Sequence, residues 1–382
     1  MESAIARMFD GKFNNLTVAR FAAAVFVLFH HLPPLHQWLC DRNWLRLCFI
    51  AQNGYVGVTL FFILSGFILT HVYSQVFEAE LRFKDVQWFY FMRVTRVVPL
   101  WLFLSAIFLL GSAVPITTGW FLYFLMLQAW SPSIGVAFSF IGVAWTLSVE
   151  AFFYLVFPFL IWSFRRLRIG SGLLICSIGF VIPVSGSLIF EITSLKDLPI
   201  TDPSSFHRWL YRMPLLRVGD FIVGIGLYYF MQSILRVQNA RVVIVIGALS
   251  IGFGMAVVSY LMMFTTLSHW TVDTAYVAPF GAVILGLALM EAGAHSLRVR
   301  SQMLILLGEA SYALYLVHSD FVIKLLQPVQ TSVSLNPLLY TSWIIIFATS
   351  LSVGLHILVE MPCQRALRQL AGRVAKLPTM KP

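Results

Sequence analysis

Long apolar runs alternate with short polar segments along the chain, and ten of these runs are near the ~20 residues with which a helix crosses a bilayer. An eleventh apolar stretch, WFLYFLMLQAW at 120–130, is too short to cross and predicts an interfacial or re-entrant segment. No internal repeat or low-complexity linker divides the chain. The pattern predicts one all-α, polytopic membrane domain over residues 1–382, with about ten transmembrane helices around a central cavity. The predicted spans are roughly 16–32, 55–75, 97–113, 145–164, 172–190, 215–233, 242–262, 275–291, 304–325 and 338–359.

Composition and charge agree with this class. Hydrophobic residues make up 59% of the chain and charged residues only 11%, whereas a soluble domain has roughly 25% charged residues. The net charge of +10 does not indicate a nucleic-acid partner, because the basic residues lie in short loops between apolar runs. With the N-terminus in the cytoplasm, 18 of the 26 Lys and Arg residues fall on the cytoplasmic side and five outside. The positive-inside rule therefore predicts that both termini are cytoplasmic.

The cysteines add one structural question. The four of them lack the spacing of metal ligands, so no metal site is predicted. Cys40 and Cys48 both fall in the first outside loop, where they form either a disulfide or two buried thiols.

Arg20 and His31 frame the first span and predict a polar stripe along one face of that helix. Eleven steps of about 100° bring the two side chains within roughly 20° of each other, about 16 Å apart along the axis. An arginine that reaches for the membrane interface and an interfacial histidine would give the same pattern without any chemistry. This pair alone does not separate the two interpretations.

Glu150 favours the functional interpretation. It lies about a turn and a half into the fourth span, where a carboxylate is costly and marks a functional site by default. Because its depth is similar to that of His31, we predict a Glu150–His31 pair in which the carboxylate orients the imidazole and raises its basicity for general-base catalysis. A structural hydrogen bond between helices is the alternative.

Polar residues in and next to the second and third spans extend the candidate site. Ser65 lies near the middle of the second span, where it is a candidate to line a cavity. Arg93 and Arg96, spaced i and i+3, have the chemistry to bind phosphate groups bidentately. Taken alone, however, these two arginines favour simple anchoring of a cytoplasmic loop.

The ninth and sixth spans supply the remaining candidates. Ser311 and His318 are seven residues apart and share a helix face beside Tyr315, which favours a lined cavity over a core histidine. Arg217 and Asp220 lie at i and i+3, where they either neutralise each other or line the outer mouth of a cavity.

Taken together, these residues resemble the acyltransferase 3 family of bacterial inner-membrane proteins. Five short motifs occur in the family's order across most of the chain, and their joint occurrence is specific although each is weak alone. Two positions depart from the usual pattern, Met92 in place of a further arginine and Thr146 in place of serine. The motifs are R-x10-H (Arg20, His31), FFxLSGF (Phe61 to Phe67), R-x-x-R-x-x-P (Arg93, Arg96, Pro99), W-x-L-x-x-E (Trp145, Leu147, Glu150) and SYxLYLxH (Ser311 to His318).

The resemblance implies a ten-helix O-acetyltransferase that moves acetyl from cytoplasmic acetyl-CoA, a substrate and not a resident cofactor, onto an extracytoplasmic or lipid-linked glycan. His31 then acts as general base oriented by Glu150. The arginines at 20, 93 and 96 bind the donor, and Tyr315 or Ser65 stabilises the oxyanion. Direct transfer and a covalent acyl-enzyme both stay open. The alternatives are a transporter or flippase of lipid-linked glycans and an acyltransferase with another donor such as succinyl-CoA.

Overall fold

The computed structural model describes residues 13–111, 118–167, 171–333 and 336–375, and all regular structure within these ranges is helical. Short 3-10 and π turns join or extend the α-helices. The α-helices are α1 Asn14–His30, α2 Pro33–Asp41, α3 Leu45–Gln52, α4 Gly57–Ala79, α5 Phe83–Gly111, α6 Thr118–Phe124, α7 Ile134–Ala137, α8 Trp145–Phe164, α9 Gly172–Ile192, α10 Pro214–Val237, α11 Ala240–Phe264, α12 Thr274–Gly293, α13 Gln302–Glu309, α14 Ser311–Val317, α15 Lys324–Val333, α16 Pro337–Leu355 and α17 Met361–Ala375. The 3-10 turns are Asn53–Val56, Gln128–Trp130, Gly142–Ala144, Ser194–Asp197 and His295–Leu297, and the π turns are His207–Arg212, His318–Ile323 and His356–Glu360.

The predicted fold class is confirmed. Among the described residues, eight helical stretches are long and apolar enough to cross a membrane, and the number rises to nine if α1 and α2 form one bent span. The prediction of ten differs at two places. Helix α1 has only 17 residues and is followed by a bend of 74° into α2. The predicted span 304–325 is divided among α13, α14, the π turn His318–Ile323 and α15.

Helix α5 begins at Phe83, 14 residues before the predicted start at 97. Its first turns carry Lys84, Asp85 and Arg93, so a search for apolar runs excludes them. One face of this segment is nevertheless buried, since Phe89 packs against Phe77 of α4 and Phe157 of α8. Residues 112–113 of the predicted span lie outside the described residues. So do five cations used in the charge count, at positions 7, 12, 168, 376 and 381.

The stretch at 120–130 is short, as predicted: helix α6 is followed by the 3-10 turn Gln128–Trp130. Two buried hydrogen bonds hold this connection against the bundle. Ser105 Oγ of α5 and the Tyr123 hydroxyl lie 2.9 Å apart, and Gln128 Nε2 donates to the Ala144 carbonyl at 2.9 Å. The segment at 120–130 therefore packs beside the start of α8.

Glycines bring the central helices into backbone contact. A Cβ at Gly66 of α4 would collide with the Phe221 carbonyl of α10, and one at Gly224 of α10 would collide with the Ile63 carbonyl of α4. The packing role expected of such small residues in membrane helices is therefore met here. This crossing fixes α4 between α10 and the helices that carry the polar residues.

Cys40 of α2 and Cys48 of α3 form a disulfide. Of the two alternatives for this pair, the disulfide is the one present. It ties together the two short helices that follow the bend after α1.

Candidate active site

A first cavity of about 110 Å³ lies between α1, α4, α5, α8 and α14, and its charged lining residues are mostly cationic. Arg20, Arg93 and Arg96 line it, and Glu150 is the only carboxylate that lines it within the described chain. We call it the arginine cavity. The other lining residues are Val58, Phe61, Phe62, Leu64, Ser65, Ile68, Leu69, Val97, Thr146, Leu147, Tyr154, Ser311, Tyr312 and Tyr315.

Glu150 is fixed by two hydroxyl groups. Ser65 Oγ of α4 donates to its Oε1 at 3.4 Å, and the Tyr154 hydroxyl, one turn further along α8, donates to its Oε2 at 3.1 Å. The described residues place no cation within ion-pair distance of this carboxylate. Its negative charge instead acts across the cavity on the Arg20 guanidinium. The arrangement offsets part of the positive charge in a space of low polarity.

The two arginines of α5 have different partners. Arg96 Nη1 lies 3.0 Å from Oε1 of Glu360, a buried carboxylate that also bonds to His356 at 2.9 Å. Arg93 Nη2 donates to the Tyr73 hydroxyl at 3.1 Å, and no carboxylate among the described residues lies within ion-pair distance of Arg93. Arg96 is therefore largely neutralised by a carboxylate, whereas Arg93 keeps an uncompensated charge.

A second cavity of about 310 Å³ lies on the other side of Tyr315 and is lined by imidazoles. We call it the histidine cavity. Its volume is at the lower end of the ~300–1,000 Å³ typical of small-molecule sites. The lining residues are Val27, His30, His31, Phe138, Gly142, Val143, Trp145, His207, Tyr211, Tyr315, Ser319, Asp320 and Lys324.

The hydrogen bonds of His31 define which of its ring nitrogens is free. Nδ1 lies 2.9 Å from the Val27 carbonyl, which can only accept, so Nδ1 carries the hydrogen. The same nitrogen lies 3.2 Å from Nε2 of His318. Nδ1 of His318 is in turn fixed as a donor by the Tyr315 carbonyl at 2.7 Å, which leaves Nε2 of His318 as the acceptor. In the neutral ring, His31 therefore presents the lone pair of Nε2, for which the described residues provide no partner.

Aromatic rings and polar groups surround this imidazole. His207 stacks on Phe138 with ring centroids 6.0 Å apart, and Tyr211 lies 4.8 Å from Trp145 by the same measure. Burial and the nearby Arg212 guanidinium lower the pKa of His207 to about 4. At neutral pH this ring is uncharged, so it can both donate to and accept from a hydroxyl group.

Asp320 contacts both a backbone turn and an exposed lysine in the lining of the histidine cavity. Its Oδ2 accepts from the Gly142 backbone N–H at 2.9 Å, and its Oδ1 lies 2.5 Å from Lys324 Nζ. The Asp320 side chain is buried, whereas that of Lys324 is mostly exposed. The π turn His318–Ile323, which carries Asp320, thereby holds the turn that leads into α8.

Tyr315 lines both cavities. Its hydroxyl donates to the Val143 carbonyl at 3.2 Å, and its ring packs edge-on against Phe61 of α4. Tyr315 is thus a lining residue that the arginine cavity and the histidine cavity have in common.

The family model described as "Acyltransferase domain" matches residues 13–357, which include both cavities. The chain belongs to the acyltransferase 3 family. The prediction that it is an acyltransferase is confirmed over the transporter alternative. No solved structure matches the chain.

Three curated proteins that are similar to this acyltransferase differ in what their names describe. Acyltransferase MdmB of Streptomyces mycarofaciens is 28% identical over 325 residues, which cover 80% of this chain and 77% of that protein. Exopolysaccharide production protein ExoZ of Rhizobium meliloti (strain 1021) is 23% identical over 342 residues, 85% of this chain and 95% of the relative. Nodulation protein 10 of Rhizobium leguminosarum bv. viciae is 27% identical over 244 residues, 54% and 60% of the respective chains.

The predicted Glu150–His31 pair is not formed in this acyltransferase. Glu150 lines the arginine cavity and bonds to Ser65, whereas His31 lines the histidine cavity and contacts His318. Counting residues from the span ends gave the two side chains a similar depth. That count ignores that His31 follows the last residue of α1, whereas Glu150 lies level with Ser65 in the middle of α4. The partner that holds His31 is an imidazole and not a carboxylate.

Two further candidates also lie elsewhere. Arg217 and Asp220 line neither cavity; they are fully buried 3.0 Å apart, and Arg217 also contacts Asp273 and the Thr59 hydroxyl. Mutual neutralisation was the alternative stated for this pair, and the geometry fits it, with Asp273 as an additional anion. A buried arginine with two carboxylates stabilises helix packing here and does not face a substrate space.

Most of the remaining candidate site residues line a cavity, as the sequence predicted. Ser65, Ser311 and Tyr315 line the arginine cavity, and Arg20, Arg93 and Arg96 lie together in it. His318 lines neither cavity but bonds to His31.

Sequence reasoning missed three charged or titratable groups: Glu360, Asp320 and His207. Glu360 fell one residue beyond the predicted tenth span, although its i, i+4 spacing from His356 was a usable signal of a buried polar pair. His207 and Asp320 lie in π turns, where the 3.6-residue period does not apply.

Proposed function

We propose that this acyltransferase moves an acetyl group from acetyl-CoA to a hydroxyl group of an extracytoplasmic or lipid-linked glycan. The observation that carries the proposal is the position of Tyr315 between an arginine cavity and a histidine cavity. The arginine cavity has the charge to attract an anionic donor, the histidine cavity presents Nε2 of His31, and Tyr315 lines both.

On the donor side, Arg93 attracts the phosphates of CoA, and Arg20 lies further along the route taken by the pantetheine arm. Glu150 offsets part of this positive charge, so that the arginines do not bind the flexible pantetheine arm too tightly for it to move along the cavity. The acetyl thioester then reaches the wall formed by Tyr315. Displacement of this ring opens the route to His31.

On the acceptor side, Nε2 of His31 takes the proton of the sugar hydroxyl as its oxygen attacks the thioester carbonyl. The tetrahedral intermediate collapses, the C–S bond breaks, and the CoA thiolate takes the proton back from Nε2 of His31. General-base assistance of this kind contributes roughly 10²–10⁴-fold to a rate. His318 keeps Nδ1 of His31 as the donor, so that Nε2 is the base throughout.

A glycan acceptor is supported by the relative that is named for exopolysaccharide production. The histidine cavity agrees with a sugar ring, since aromatic faces such as Trp145 and Tyr211 pack against its C–H surface while His207 and Asp320 offer polar groups to its hydroxyls.

We further propose that the multi-pass chain lies in the bacterial inner membrane with both termini cytoplasmic. The excess of Lys and Arg in the loops on that side supports this orientation. The Cys40–Cys48 disulfide supports it as well, because such bonds persist in oxidising compartments outside the cytoplasm.

The test uses purified protein with acetyl-CoA labelled in the acetyl group and glycan isolated from cells that lack this gene. Wild-type protein is expected to release CoA and to leave labelled ester on the glycan. The His31→Ala variant should reduce transfer at least 100-fold while its gel-filtration profile stays unchanged, because only the base is removed. If His31→Ala still transfers label to the glycan, the assignment of His31 as general base is rejected. If wild-type protein releases no CoA, the assignment of acetyl-CoA as donor is rejected.

A further inference from the structure

The C-terminal helix α17 lies beyond residues 13–357, which the family model matches, yet it packs against α5. Glu360, just before α17, bonds to Arg96 of α5, and Gln364 donates to the same carboxylate at 3.1 Å. Arg368 follows one turn later, about 40° from Gln364 around the helix. This face of α17 therefore runs along the part of α5 that carries the arginine pair.

Arg368 and Arg93 lie on the two helices that pack together here, α17 and α5. The Nε atom of each guanidinium is buried in the described structure. Two like charges are costly to hold close together unless an anion joins them. The short helix–helix contact thus creates a local excess of positive charge at the end of the arginine cavity.

Both guanidiniums have unused donors. Nε of Arg93 and Nε of Arg368 are buried without a hydrogen-bond partner in the described part of the chain. Arg368 has no protein acceptor there at all. A buried N–H group that stays unpaired is unfavourable, so an anionic ligand that accepts from both is favoured.

The size of the arginine cavity locates the part of the donor that these groups meet. At about 110 Å³, it is well below the ~300 Å³ at which sites for whole small molecules begin. It has room for the acyl end of the pantetheine arm but not for the nucleotide. The phosphates must stay outside the cavity, on the side where α5 and α17 meet.

We propose that Arg368 and Arg93 form a phosphate-binding site for the nucleotide end of the acyl donor, while Arg96 is held by Glu360 and positions α5 against α17. This inference rests on the proposed function, since it assigns the donor's phosphates to that same site. It gives α17 a role in donor binding that lies outside the family-matched segment. Fork-like pairing of two guanidiniums with one phosphate is the geometry that arginine favours.

The experiment measures CoA binding to purified protein in neutral detergent by calorimetry at about 0.15 M salt, where long-range charge effects are screened. Arg368→Ala is compared with Arg365→Ala, which removes the same charge from an exposed position on the same helix. Arg368→Ala should raise the Kd for CoA roughly 10-fold or more, the fold-change expected for one charged hydrogen bond. Arg365→Ala should change it less than 2-fold.

Three further arms make the result specific. Pantetheine, which has no phosphate, should bind wild type and Arg368→Ala equally. Arg368→Lys keeps the positive charge but loses the bidentate donor geometry of the guanidinium, so it should restore only part of the affinity for CoA. Partial recovery in Arg368→Lys also shows that the lost affinity of Arg368→Ala is not caused by misfolding. Measurements in nanodiscs of neutral and of anionic lipid separate donor phosphate from lipid phosphate. If Arg368→Ala changes the Kd for CoA only in nanodiscs of anionic lipid, the assignment to donor phosphate is overturned.

The outcomes separate this inference from the proposed function. Failure of wild-type protein to bind CoA at all contradicts the proposed function. Normal CoA binding by wild type with an equal Kd for Arg368→Ala contradicts the phosphate site alone. An equal loss in Arg365→Ala also contradicts it, because the effect would then be one of overall charge.

Discussion

His31 shows how a single residue gains a defined chemical state from its neighbours. Its Nδ1 is fixed as a donor by the Val27 carbonyl and by Nε2 of His318. The sequence pointed to His31 through its spacing from Arg20, but its partner was misassigned to Glu150. Spacing along a helix gives the face and depth of a residue, whereas the partner depends on which other helix meets that face.

The first prediction concerns His318, which positions His31 without touching substrate. His318→Ala removes one of the two acceptors for Nδ1–H of His31 and leaves only the Val27 carbonyl to orient the ring, so we expect kcat to fall roughly 10- to 100-fold, the range typical of lost outer-shell support of a histidine. His318→Gln, whose amide oxygen reaches the position of Nε2, should recover much of that loss. The measurement is steady-state acetyl transfer at saturating donor and acceptor.

The KM for each substrate serves as the internal control, because a positioning residue should leave both nearly unchanged. Loss of activity in His318→Gln equal to that in His318→Ala would count against a hydrogen-bonding role and in favour of simple packing.

At the scale of the elements, uniform apolar runs were predictable and interrupted ones were not. Helices α9 and α11 agree with their predicted ranges to within two residues at each end, because length and hydropathy alone define a spanning helix. Helix α5 was predicted too short, because its amphipathic start mixes charges with a buried face. The span at 304–325 was predicted unbroken, although Ala310 and a π turn divide it.

The crossing of α4 and α10 leads to the second prediction. At Gly66 and Gly224 the two helices touch through their backbones, so any Cβ at either position collides with a carbonyl of the partner helix. Gly66→Ala should lower the free energy of unfolding by roughly 1–3 kcal/mol, the usual cost of overpacking. The melting temperature of the purified protein in detergent checks this.

Gly252→Ala in α11 is the matched control, since nothing lies within 4 Å of a Cβ at that position. It should be neutral or slightly stabilising, because alanine favours a helix over glycine by about 1 kcal/mol. Equal destabilisation by Gly66→Ala and Gly252→Ala would contradict a direct backbone contact between α4 and α10 at Gly66.

For the whole molecule, the third prediction is the direction in which the bundle crosses the membrane. The native cysteines report it, because Cys40 lies in the first loop and Cys363 lies on α17 near the other end of the chain. A variant with Cys40 as its only cysteine should react with a membrane-impermeant maleimide added to spheroplasts. A variant with only Cys363 should react after the membrane is permeabilised and not before.

We expect this arrangement from the proposed function. If the donor is cytoplasmic acetyl-CoA, the arginine pair of α5 and the face of α17 that carries Arg368 open to the cytoplasm. The Cys40–Cys48 disulfide favours an oxidising compartment on the other side of the bundle, where we expect the histidine cavity to open. Labelling of Cys363 in intact spheroplasts would reverse both assignments at once, and the donor could then no longer enter through the arginine cavity.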